Sequence, residues 1–208
     1  MATGLGLAVA AGFNAWAALL VFSAMSRLFP AFASGSVAQF LASGPMFTLF
    51  LALFLAEFLA DKIPFLDHFW NFAHTFLRPA AGGALVLACL PRAGPPAQVG
   101  AALAGVLVTL LAHVAKTTSR LTSTAAVSGL SQIAVSVAED VIAVSIAAVA
   151  LFSPTLSIAV VLALILLVTM LYERVRQAVR ILLFLGAHPR KLLKAARDEE
   201  PPPGLPGE

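Results

Sequence analysis

The 208-residue chain predicts an all-α, polytopic helical membrane fold, and three observations carry that prediction. Hydrophobic residues make up 60% of the sequence and charged ones 11%, against roughly 45–50% and about 25% in soluble domains. Mean hydropathy is +0.95, so too few charges exist to cover a water-facing surface. The apolar residues fall into about six segments, most of them near the length needed to cross about 30 Å of hydrocarbon.

The first segment, about Leu5 to Leu28, is interrupted by Gly12-Phe13-Asn14. A polar connection with Pro30, Ser34, Gly35, Ser36, Gly44 and Pro45 follows. The second segment runs from about Met46 to Ile63 and stops before Pro64, because proline disfavours helix at the preceding residue. In the third, Phe65 to Leu90, Asp67 is expected to cap a short aromatic helix that breaks at Arg78-Pro79, since proline removes a donor and clashes with the turn before it. That stretch is expected to be Pro-broken or re-entrant. Pro91 to Pro96 form a loop, and the fourth and fifth segments run from about Val99 to Leu121 and Leu130 to Phe152. Pro154 opens the sixth. Domain boundaries are expected at 1–172 for the membrane part, 173–200 for a basic amphipathic cytoplasmic helix, and 201–208 for a disordered Pro-rich tail.

Charge is distributed unevenly. From Glu173 onward lie seven basic residues (Arg174, Arg176, Arg180, Arg190, Lys191, Lys194, Arg197) and five acidic ones (Glu173, Asp198, Glu199, Glu200, Glu208). Such a basic juxtamembrane tail is expected in the cytoplasm, near anionic lipid. Nucleic-acid binding is excluded as a reading, because no basic stripe lies on a soluble domain. Cys89 stands alone in an apolar run and reads as a packing residue. Ser26-Arg27-Leu28 and Ser119-Arg120-Leu121 end the first and fourth segments, which admits a 3+3 inverted repeat of the kind many transporters share.

The informative residues are ionisable groups within apolar helices, each costing about 2.5–3.5 kcal/mol at the bilayer centre on insertion scales. His113, Lys116 and Arg120 follow i, i+3, i+7 on the fourth segment and share a face. Gln132, Ser136 and Glu139, with Asp140 adjacent, follow i, i+4, i+7 on the fifth and also share a face. Glu57 and Asp61 stand at i, i+4 on the second, followed by Lys62; Asp67, His74 and Arg78 lie on the third. The stripes predict that the second, fourth and fifth segments meet around a charged centre. Trp16, Trp70 and Tyr172 read as interface anchors. No spacing identifies a metal, so whether one binds is left open by the sequence, and no cofactor is expected.

The run Glu57-Phe58-Leu59-Ala60-Asp61-Lys62-Ile63-Pro64, then Asp67, then His74 through Gly82, resembles the DUF4126 family of bacterial integral membrane proteins. Gly12-Phe13-Asn14-Ala15, His113 to Lys116 with Arg120, and Ser136 to Asp140 belong to the same resemblance, which covers about residues 5 to 165. The family is one of unknown function, so the likeness marks positions and supplies no substrate.

Three functions are expected to compete. The first is a small inner-membrane transporter or channel for a polar or charged solute. Its pathway would use Glu57, Asp61, Asp67, His74, Arg78, His113, Lys116, Arg120, Glu139 and Asp140. The second is an intramembrane enzyme acting on a lipid or isoprenoid phosphate held by Arg78, Lys116 and Arg120. The third is a structural protein whose charges only fix packing. The partners expected are the lipid bilayer and a small polar or ionic solute, with a homo-oligomer left open. The location expected is the bacterial inner membrane, crossed several times, with the C-terminus in the cytoplasm.

Overall fold

The computed structural model describes residues 1–60, 64–123 and 129–187, with side chains described outside 64–73, 119–133, 174, 178, 179 and 181–187. The chain forms two compact units, 1–166 and 167–208. No strand occurs among the described residues.

The helices are α1 (Ala2–Phe13), α2 (Ala15–Leu28), α3 (Ser36–Leu41), α4 (Gly44–Ala60), α5 (Pro64–Ala88), α6 (Pro95–Ser123), α7 (Gly129–Phe152) and α8 (Pro154–Ala187), with a 3-10 turn at Pro30–Phe32. Among the described residues, three stretches, Pro95–Thr118, Ala134–Phe152 and Pro154–Gln177, are long and apolar enough to cross a bilayer. This is an all-α membrane protein, with fewer full-length spans among those residues than the six segments expected. Two of the expected segments are short: α4 has 17 residues, and the first segment is two helices separated at Asn14, where the backbone is extended (φ −149°, ψ 111°).

Pro79 does not break α5, which runs 25 residues without a turn and is about 38 Å long at 1.5 Å per residue. A hairpin is therefore absent from residues 64–88. A proline can sit within a transmembrane helix when neighbouring groups accommodate the backbone it disturbs. Asp67 is not a cap: α5 starts three residues earlier, at Pro64, the position where a missing N–H matters least. The two matching Ser-Arg-Leu triplets also end unlike elements. One closes a broken pair of helices, whereas the other lies in the single 29-residue α6.

Helical periodicity decides which faces are inside. On α5 the buried residues His74, Arg78, Ala81, Leu85 and Ala88 repeat at four and three. On α7 Ser136, Asp140, Ala143, Ala147 and Ala150 do likewise. On α6 Ala101, Gly105, Thr109, Ala112 and Lys116 face inward, while Leu103, Leu107, Leu111 and Val114 are exposed. Small inward residues let helices approach closely where lipid provides no hydrophobic drive between them.

The helix at the centre is α1, packed by α5, α6 and α7 and buried from Gly6 through Gly12. A Cβ on Gly12 would overlap that of Ala112 and lie 2.8 Å from the Thr109 carbonyl. Glycine is required there for α1 to rest on α6. Where α5 crosses α6, a Cβ on Gly82 would overlap Thr109 Oγ1, and the Thr109 hydroxyl donates to the Ala8 carbonyl at 2.8 Å. In the second unit, Arg176 and Glu173 form an exposed pair at 2.8 Å.

Candidate functional site

The break between α1 and α2 has a definite chemical origin. In an unbroken helix the Phe13 carbonyl would accept from the Ala17 N–H. Instead Ala17 N–H donates to the Asn14 side-chain oxygen at 2.8 Å, so Asn14 caps α2 and the Phe13 carbonyl is released. The Lys116 ammonium, arriving from α6, donates to that carbonyl at 2.7 Å and pairs with Glu139 of α7 at 3.1 Å. Asn14 completes the junction by donating its amide N–H to Asp140 Oδ1 at 2.8 Å. Thus one asparagine ends one helix, starts the next, and ties both to α7.

A second ion pair lies alongside. Arg78 Nη2 donates to Glu57 Oε1 at 3.0 Å, Nε donates to His74 Nδ1 at 3.1 Å, and Nη1 donates to His113 Nδ1 at 2.8 Å. A guanidinium has no acceptor, so both imidazole Nδ1 atoms must be accepting, and both rings carry their proton on Nε2. His74 Nδ1 also lies 3.3 Å from Glu57 Oε1. That approach is not an ion pair, because the same nitrogen is already an acceptor. Trp16 stacks on Phe50 and meets the His74 ring edge-on, 6.1 Å between centroids.

Arg78 is 2% exposed, Glu57 and His74 1%, Lys116 4%, Asp140 6% and Glu139 7%. His113, half-buried, bridges the two pairs, since it stands one turn before Lys116 on α6. Seven of the ten sequence-predicted site residues therefore converge: Glu57, His74, Arg78, His113, Lys116, Glu139 and Asp140. Asp61 and the side chains of Asp67 and Arg120 lie outside the described residues, as do the side chains of Gln132 and Trp70.

The meeting is larger than the three-helix centre expected. Arg78 brings α5 in as the partner of Glu57, and the helix break brings in α1 and α2. The sequence reading missed two participants. Asn14 stood out as an interruption and within the Gly12-Phe13-Asn14-Ala15 likeness but not as a partner of the charges, and the Phe13 carbonyl is backbone, which no side-chain pattern reveals. Trp16, expected as an interface anchor, is partly buried and packs its ring against Phe50 and His74. Among the described residues, no group of three or more His, Cys, Asp or Glu could hold a metal ion. A cleft of about 320 Å³ lies elsewhere, lined by Leu87, Pro95, Gln98, Val99, Ala102 and Leu103. Its lining carries no ionisable group.

No curated protein and no solved structure matches the chain. The family model for DUF4126, a domain of unknown function, matches residues 1–174, a stretch that includes every residue of the network. The chain belongs to the DUF4126 family.

Proposed function

We propose that this protein is a small transporter or channel for a polar or charged solute, with the Glu57–Arg78 and Lys116–Glu139 pairs as its selective centre. The observation that carries the reading is the convergence of both pairs beside the broken, apolar α1–α2 segment. Buried ion pairs add little to stability over well-packed apolar residues of equal volume, and ionisable groups at membrane depth mark pathways by default. Non-helical backbone at that depth is tolerated where it is enclosed by protein or faces a water-filled cavity, and broken helices are where transporters bind their ions and substrates. In this reading the paired network is the closed arrangement, and an incoming solute charge replaces one partner of a pair as the path opens. The basic tail would face the cytoplasm of a bacterial inner membrane.

The alternative with an observation in its favour is a network that only fixes packing, since Glu57, Arg78, Lys116 and Glu139 are all buried and paired. The enzyme reading is weaker, because the Arg78 donors are directed at Glu57, His74 and His113 and not at a shared phosphate position.

Purified protein in liposomes, assayed for flux of protons, alkali cations, chloride and phosphate, separates these readings. Transport predicts wild-type flux that Glu57→Gln and Glu139→Gln abolish while both variants stay monodisperse. Absence of flux across the panel, or loss of flux only in step with loss of folding, defeats it. Turnover of a lipid phosphate by the purified protein would install the enzyme in its place.

A further inference from the structure

The Lys116 ammonium sits in surroundings that have the chemistry of a cation site. Its nitrogen is 2.7 Å from the Phe13 carbonyl and 3.1 Å from Glu139 Oε2. The carbonyl is the last of α1, where unsatisfied C=O groups and the helix dipole concentrate negative charge. Asp140 flanks Glu139 and is oriented by the Asn14 amide. Asn14 also keeps the carbonyl available, by supplying Ala17 N–H with a substitute acceptor. Carbonyl oxygens at the C-terminal end of a broken helix are donors of the kind that coordinate monovalent cations in transporters, and the carboxylates add negative charge beside them.

We propose that the α1/α2 break is a binding site for a monovalent cation of potassium size, filled in this chain by its own tethered ammonium. An ammonium and a potassium ion have nearly the same radius, so a free ion fits the same position once the tether is cut. The assignment stands apart from the transport reading, because it is read by binding and not by flux.

The test is thermal melting of purified protein in detergent at constant ionic strength, titrating KCl, NaCl or LiCl against choline chloride. Wild type should show no difference among the salts. Lys116→Ala should melt lower in choline and recover with KCl in a saturable way, by about 4 °C at twenty times the dissociation constant. Sodium should act more weakly and lithium least. Lys116→Ala combined with Glu139→Gln should lose the response. On a Cys89→Ala background, Lys116→Cys should respond to potassium until it is aminoethylated, which restores a tethered ammonium, and then cease to respond.

A Lys116→Ala protein that melts identically in all four salts overturns the assignment, as does one that aggregates in every salt. A wild-type response equal to the variant's also overturns it. Aggregation in choline with recovery in potassium supports it.

Discussion

Arg78 and Glu57 sit on neighbouring helices with Nη2 and Oε1 3.0 Å apart, and neither is more than 2% exposed. Removing one partner of a buried pair leaves the other uncompensated, at a cost of about 3–5 kcal/mol. Arg78→Ala should therefore lower the melting temperature sharply. Arg78→Lys should fall nearly as far, because a single ammonium cannot reproduce three N–H groups aimed at Glu57, His74 and His113. Glu57→Gln keeps an oxygen acceptor toward Nη2 and should be milder. If Arg78→Lys melts like wild type, the three-way fork is not what positions these helices.

Asn14 has two separable roles, and graded substitution tells them apart. Asn14→Ser retains a cap but is too short to keep the Asp140 contact, and should cost about 1.5–3 kcal/mol for a hydrogen bond to a charged group. Asn14→Ala loses both and adds about 1 kcal/mol for the cap. It also frees Ala17 N–H to bond the Phe13 carbonyl, closing the break and depriving Lys116 of an acceptor. Urea or thermal unfolding should rank wild type, Ser, Ala in that order. Equal stability of the two variants would mean that the cap contributes nothing.

At the α5–α6 crossing, Gly82→Ala should destabilise because the added carbon overlaps the Thr109 hydroxyl and approaches the Gly105 carbonyl at 3.1 Å. Thr109→Ala removes the hydroxyl and with it the bond to Ala8, worth about 1 kcal/mol. The double variant should be less destabilised than the sum of the two, a coupling that melting of all four proteins measures. Gly12→Ala should show no such relief from Thr109→Ala, because the Thr109 atom it meets is backbone.

Much of this arrangement was legible in the sequence, for a physical reason. An ionisable residue within an apolar helix faces protein, so His113 with Lys116, and Glu139 with Asp140, announce the inward faces of α6 and α7 from the sequence alone. Pairing was not legible. Glu57 could have met Lys116 or Arg120 by charge alone, and only the packing of α4 beside α5 gives it to Arg78. Pro79 misled because helix-breaking rules are written for isolated helices in water, whereas α5 continues through it within a packed bundle. Asn14 was noticed as a gap and not as a ligand, since its second partner is 126 residues away.

That separation bears on how the protein is made. At about 5–20 residues per second of synthesis, Asp140 emerges roughly 6 to 25 s after Asn14. For most of that interval neither Lys116 nor Asp140 is available to α1 and α2, although α1 is to become the innermost helix. The innermost helix of the bundle thus waits for a partner made 126 residues later.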